Sequence, residues 1–290
     1  MELETLIERH ARPDMRTRIP GLFLSRVTGS DHEFSMTDPL LVVMARGGKR
    51  LLLGDRMYEY RAGECLIVTT GVPVSGHFFD TPALGLGLTL RPETITPLLL
   101  SAPPARPSAA RSALATGPAG PALLDAVTRL VRLLDEPRDV EVLAPLYERE
   151  ILWRVLTGPH GESLRQIALA DSNLSHVNRA IGWLRANYAE PMRVDDLARR
   201  AGMSASAFHR HFRDVTAMSP LQFQKRLRLQ EARSLLLLAR PDDVAGVGHL
   251  VGYDSPSQFS REYRRLFGAP PGADAARLRS AAGPLEPSLP

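Results

Sequence analysis

The sequence predicts an α+β multidomain chain. An N-terminal all-β sandwich or barrel leads through a helical connector to a C-terminal all-α domain, in which a long helix joins two helix-turn-helix units. Three observations carry this reading. Short apolar runs separated by turn residues fill the stretch from Leu22 to Leu90, as in a module of several closely spaced strands. From Leu123 onward the apolar residues recur at helical spacing. Near the C-terminus a pattern of small residue, turn glycine and buried aromatic occurs twice, about fifty residues apart.

The strands are read in order. Leu22-Phe23-Leu24 precedes Leu40-Leu41-Val42-Val43-Met44, then Arg50-Leu51-Leu52-Leu53 with a Gly54-Asp55 turn into Arg56-Met57-Tyr58-Glu59-Tyr60. A Gly63-Glu64 turn leads to Cys65-Leu66-Ile67-Val68, followed by Val72-Pro73-Val74 and the run from Leu84 to Leu90. Gly85 and Gly87 in that last run predict a crowded or bent strand. Residues 1–100 are therefore assigned to the β module. The Ala-, Pro-, Ser- and Gly-rich residues 101–120 are assigned to a linker. Within 121–170, Leu123, Val127, Leu130, Val131 and Leu134 form one apolar stripe, and a second helix covers Val142 to Leu156. Packing of these helices onto the β module is one reading of the stripe. The helix-turn-helix domain spans 175–280, and 281–290 is a frayed tail.

In the first helix-turn-helix, Ala198 lets two helices approach. Gly202 takes a left-handed turn at no steric cost, and Phe208 pins the second helix. On a helical wheel Phe208 and Phe212 face inward while Ser206, His209, Arg210 and Arg213 gather outside. In the second unit Phe259 and Tyr263 face inward. Ser257, Ser260, Arg261 and Arg264 face outward, with Gln258 at the edge. Ser204 and Ser255 are the expected N-caps, and Pro256 fits the first helical position. Arginine grips guanine O6 and N7 with two hydrogen bonds, and glutamine can do the same for adenine. Arg213 and Arg264 fit phosphate contacts that set register. Ser219-Pro220 marks the start of the joining helix. Its Lys225, Arg226 and Arg228 either meet the nucleic-acid backbone or keep the helix soluble.

Charge is divided in the same way. From Ser175 onward there are 17 Lys+Arg against 11 Asp+Glu; before it there are 19 against 21. A basic module joined to a near-neutral one is the electrostatic footprint of a nucleic-acid-binding end and a separate sensing or assembly end. The single cysteine, Cys65, excludes an internal disulfide framework and a zinc cluster of cysteines. The charged N-terminus does not read as a signal peptide. No apolar run reaches the roughly eighteen residues a membrane span needs. A cytoplasmic protein is expected.

Asp196-Leu197-Ala198, Met203-Ser204, Phe208 to Phe212, Ser219-Pro220, Arg228 to Arg233, Val251-Gly252-Tyr253, Ser257 to Tyr263 and Phe267 to Pro271 together resemble the two-unit DNA-binding domain of AraC/XylS-type transcription regulators. The resemblance covers Ser175 to Arg279. It implies base contacts by Ser206, His209, Arg210, Ser257, Gln258 and Arg261. It also implies double-stranded promoter or operator DNA as partner, with RNA polymerase and a second copy of the chain as further partners. One departure stands out. The family's alanine-rich first helix of the second unit reads here Val244-Ala245-Gly246-Val247-Gly248-His249. Each glycine costs a helix interior about 1 kcal/mol relative to alanine, so the second unit is expected to be the less stable.

Lys49 to Asp55, Tyr58-Glu59-Tyr60, Gly63 to Leu66 and Val72 to His77 resemble the cupin-like N-terminal effector domain of one AraC-family branch. This implies a cupin-like β-barrel with an interior pocket for an unidentified small-molecule effector. Tyr58, Cys65 and His77 are its candidate lining. Cys65 reads either as a small buried hydrophobe or as a sensor thiol, which would need a depressed pKa. No catalytic constellation, metal set or cofactor motif is evident, since His77 stands without a His-x-His partner. Two rivals remain: a cupin enzyme fused to a DNA-binding domain, and a DNA-binding regulator whose barrel only mediates assembly.

Overall fold

The computed structural model describes residues 2–30, 32–103, 112–169, 172–238 and 243–282. Its strands are β1 (Leu22–Val27), β2 (Glu33–Met36), β3 (Leu40–Leu53), β4 (Arg56–Arg61), β5 (Glu64–Val68), β6 (Pro73–Thr89) and β7 (Leu114–Pro118). The helices up to the first helix-turn-helix are α1 (Glu2–His10), α2 (Pro92–Leu99), α3 (Pro121–Arg132), α4 (Val140–Thr157), α5 (Gly161–Ala168) and α6 (Asn173–Ala186). Then follow α7 (Val194–Ala201), α8 (Ala205–Thr216), α9 (Pro220–Leu238), α10 (Val244–Leu250), α11 (Pro256–Phe267) and α12 (Pro271–Ala282). Nearly all of the expected tail, from 283 on, lies outside the described residues. The chain divides into two compact units. One comprises Met1–Arg179 with Ser206–Met218, the other Ala180–Ala205 with Ser219–Pro290.

In the first unit the strands make one antiparallel sheet in the order β1-β6-β3-β5-β7, with β2 beside β6 and β4 beside β3. Two pairs of apolar runs that read as separate strands are single long ones, β3 and β6. Each serves two neighbourhoods. The early part of β3 pairs with β5 and its late part with β4. Register shifts between Met44 and Gly48 separate the two, the place where a strand bends. The tightly packed Gly85 and Gly87 of β6 face Ser25 and Phe23 across the ladder. Several elements escaped the sequence reading: the charged N-terminus forms α1, Glu33–Met36 forms β2 and Pro92–Leu99 forms α2. The stretch assigned to a linker holds β7, which pairs with β5 from Leu114↔Val68 to Pro118↔Glu64. Its short, glycine-containing sequence hid it; residues 104–111 of the same stretch lie outside the described residues.

One apolar core lies between sheet and helices. Leu24, Leu41, Val43, Cys65, Ile67 and Leu86 on the sheet meet Leu6, Ile7, Val127, Leu130, Ile151 and Leu152 on the helices. The apolar stripe expected on α3 is buried here, so these helices pack onto the β module.

In the second unit, Gly202 ends α7 with φ +72°, the left-handed value the turn needs. Ser219 and Gln222 cap α9 reciprocally: the Gln222 N–H donates to Ser219 Oγ at 3.3 Å, and the Ser219 N–H to Gln222 Oε1 at 2.9 Å. The helix that follows has 19 residues, a rod of about 28 Å. Arg228 is an internal staple of this unit. It donates to the carbonyls of Tyr188 (2.7 Å), Ala189 (3.0 Å), Glu190 (3.1 Å) and Gly252 (2.6 Å). Neither function expected of it, contact with a nucleic-acid backbone or solvation of the helix, describes this role.

Candidate nucleic-acid interface

The outward faces form as the helical wheels require. On α8, Phe208 and Phe212 are fully buried, whereas Ser206, His209, Arg210 and Arg213 are exposed or partly so. On α11, Phe259 and Tyr263 are fully buried, whereas Ser257, Arg261 and Arg264 are exposed and Gln258 is half-buried. The start of α11 is fixed by Ser255, whose hydroxyl accepts from the Gln258 N–H at 3.3 Å. The same hydroxyl lies 3.0 Å from that of Ser257.

The arginines separate into two populations. Arg91, Arg129 and Arg233 are paired with carboxylates, and Arg228 is spent on carbonyls. Arg210, Arg213, Arg261 and Arg264 form no ion pair with any described residue. Arg261 and Arg264 also line one open surface concavity with Ser260 and Arg265. Exposed guanidinium groups left without an internal carboxylate keep all five donors for an external anion.

Gln258 is differently placed. Its amide donates to Glu262 Oε1 at 3.1 Å, and Glu262 also accepts from Lys225 Nζ (2.8 Å) and the Tyr253 hydroxyl (2.9 Å). Partial burial would raise the Glu262 carboxyl, but these three donors outweigh it and hold it below the usual carboxylate range. Glu262 thus holds the Gln258 amide through one N–H and leaves its second N–H and its carbonyl oxygen for a base edge. Sequence reasoning missed the cluster because its members sit on α9, α11 and the turn before α11.

A second buried cluster orders the end of the unit. Asp274 is fully buried. It accepts from Arg233 Nε (2.8 Å), Arg277 (2.6 Å) and the Tyr263 hydroxyl (3.0 Å). Burial alone would raise its carboxyl; the three donors hold it below the ordinary range. This ties α9 and α12 to the inward face of α11, the second recognition helix.

The residues expected to line an effector pocket do not converge. Tyr58 is opposite Leu51, and His77 is opposite Arg50. Cross-strand partners share a face and neighbours along a strand alternate, so Tyr58 and His77 project from opposite faces. The Tyr58 hydroxyl meets Ser112 Oγ at 2.6 Å. His77 lies beside His32, their ring centroids 5.9 Å apart. Cys65 is wholly buried in the core between sheet and helices. Burial pushes its thiol up to about 11, the opposite of what a sensor thiolate needs. Among the described residues no three of His, Cys, Asp or Glu gather to hold a metal ion. No described helix is long and apolar enough to cross a membrane.

Two helix-turn-helix second helices with matched cationic outer faces, carried behind an antiparallel β module, define a DNA-binding regulator of transcription. The comparisons agree. The model of the AraC-type transcriptional regulator N-terminus matches residues 18–163, and a helix-turn-helix domain model matches residues 197–277. The chain belongs to the AraC-type transcriptional regulators. It is 31% identical over 106 residues to the HTH-type transcriptional activator RhaS of Pectobacterium carotovorum, covering 37% of this chain and 38% of that protein. RhaS of Escherichia fergusonii is 30% identical over 150 residues, 51% of this chain and 52% of that protein. The chain thus spans about half or less of these curated relatives. The fold matches that of an apo ToxT variant from Vibrio cholerae with a TM-score of 0.56 at 11% identity, over 90% of this chain and 99% of the other. A ToxT structure bound to an unsaturated fatty acid, also from Vibrio cholerae, matches with a TM-score of 0.54 at 9% identity, over 90% and 97%.

Proposed function

We propose that this chain is a cytoplasmic, sequence-specific transcription regulator that reads two successive major-groove segments of promoter or operator DNA. The observation that carries this is the set of four exposed arginines, Arg210 and Arg213 on α8 and Arg261 and Arg264 on α11, without an internal counter-ion. Arg210 and Arg261 occupy equivalent positions and read bases, assisted by Ser206, His209, Ser257 and Gln258. Arg213 and Arg264 hold phosphates. The long helix α9, stapled at Arg228, joins the two helix-turn-helix units along the chain. The binding partners include a small-molecule effector of the N-terminal module, as the fatty-acid-bound ToxT suggests by analogy, together with RNA polymerase and a second copy of the chain. Regulation is then a population shift between states that present the recognition helices differently.

Selection of bound duplexes from a random pool by the purified chain tests the reading. We expect an enriched motif of two blocks separated by about one helical turn, roughly 10 base pairs. Enrichment of no motif, with binding that depends on salt alone, would refute sequence-specific readout.

A further inference from the structure

A cavity of about 200 Å³ lies within the first compact unit. It has room for about seven waters at their liquid share of about 30 Å³ each. Thr69, just after β5, and Ser112, just before β7, form one wall. Glu162, Ser163 and Gln166 of α5 form a second, and His211 and Asp214 of α8 a third. Two features of this lining point to a ligand, and a third ties it to α8.

First, Ser163 is only 4% exposed. Its hydroxyl has no hydrogen-bond partner among the described residues, and the residue lines the cavity. Second, the lining contains two carboxylates, Glu162 and Asp214, and neither lysine nor arginine. Glu162 accepts a bond at 2.7 Å from the neutral amide of Gln166 and has no ion-pair partner among the described residues. A concave, acceptor-rich site lined by one sign of charge concentrates the opposite sign. Third, the backbone of α8 is held at this site. Arg56 Nη1 donates to the Asp214 carbonyl at 2.8 Å, and the Ala113 N–H donates to the Val215 carbonyl at 2.8 Å. These are carbonyls of the last turn of the helix, where a cation and an N–H group meet the negative end of its dipole.

We propose that this cavity is the effector site, that it takes a small organic cation of the primary-amine class, and that its occupancy is transmitted through α8, the helix that carries Arg210. The coupling rests on the regulator reading above; the binding site does not. The ammonium group donates to Glu162 and to Ser163 Oγ, while the rest of the molecule lies along Thr69, Ser112 and His211. By linkage, a ligand that touches the seated α8 changes DNA affinity by the same factor by which DNA changes ligand affinity.

The test is calorimetric titration of the full chain with 1,4-diaminobutane, 2-aminoethanol and 1-aminobutane. The neutral isostere 1,4-butanediol and an unsaturated fatty acid are run beside them. We expect at least one amine to bind with a stoichiometry of one and the diol to fail. Glu162→Gln is expected to weaken binding about tenfold or more through the loss of a charge-assisted hydrogen bond. Ser163→Ala, which removes the hydroxyl and adds no atom, is expected to weaken it less, and both variants should keep the wild-type melting temperature without ligand. Absence of amine binding at millimolar concentration overturns the proposal. Equal binding of the diol, binding of the fatty acid alone, or amine binding indifferent to both variants does so too. The amine is then added to the chain on its selected duplex: a shift in DNA affinity that Glu162→Gln abolishes supports the coupling, and no shift overturns it. If amines bind as expected but no duplex is ever selected, the site stands and the regulator reading falls.

Discussion

At the scale of single residues, the decisive contrast lies between arginines that are spent and arginines that are kept. Arg228 stitches four carbonyls and Arg233 holds a buried carboxylate, whereas Arg210, Arg213, Arg261 and Arg264 point outward unpaired among the described residues. We expect Arg210→Ala to relax sequence preference at one position and to cost about 1–3 kcal/mol on the cognate duplex. Arg213→Ala should weaken all duplexes alike and lower the salt slope by about one. Binding isotherms at several salt concentrations on cognate and scrambled duplexes separate the two. Asp274 carries a stability prediction. Its carboxyl lies below the ordinary range in the folded chain, so its contribution is complete above the unfolded value of about 3.9 and is lost as the pH falls through the lower folded value. Asp274→Ala removes the buried acceptor of Arg233 and of the Tyr263 hydroxyl and should cost about 2–3 kcal/mol. Unfolding followed by Trp183 fluorescence in a Trp153→Phe background reports on this unit; an unchanged transition would contradict the assignment. The same residue scale shows what a sequence cannot reveal. The outward side chains of α8 and α11 follow from helical periodicity alone. That Gln258 is engaged by Glu262, or that Arg228 is internal, depends on contacts between elements far apart along the chain.

At the scale of elements, α10 is where the expected weakness of the second unit can be tested. Gly246 and Gly248 lower helix propensity, yet the helix forms over Val244–Leu250. Gly248 has a packing reason: a Cβ there would lie 3.0 Å from Cδ1 and 3.2 Å from Cγ of the fully buried Phe259 ring. Gly246 is crowded only by the exposed side chain of Asp243, which can swing away. Gly246→Ala should therefore stabilise the second unit by up to about 1 kcal/mol. Gly248→Ala should destabilise it by about 1 kcal/mol net, because overpacking outweighs the propensity gain. Chemical denaturation of the two variants side by side checks the sign. Strand alternation and turn residues made five of the seven strands legible as apolar runs. The short polar β2 and the glycine-bearing β7 exist because neighbours accept their backbone groups, a non-local reason. The candidate pocket failed for a related cause: a one-residue change of register moves a side chain to the other face, and Tyr58 and His77 fall on opposite sides.

At the scale of the whole molecule, the family model for the N-terminus and the helix-turn-helix model place an effector-type module and a DNA-binding domain in one chain. Its thiol chemistry is quiet: with Cys65 wholly buried and its pKa raised to about 11, we expect alkylation by iodoacetamide in native buffer to be far slower than in denaturant, and DNA binding to be indifferent to mild oxidants. Rapid native labelling would show that the core around Cys65 opens.

The central claim is that α8 and α11 each read their own stretch of DNA. Duplex selection repeated with Arg210→Ala and with Arg261→Ala tests it most directly. The account requires each variant to lose a different one of the two sequence blocks while retaining the other. If both variants return the wild-type motif, or if each erodes both blocks equally, the two helices are not independent readers and the account is wrong.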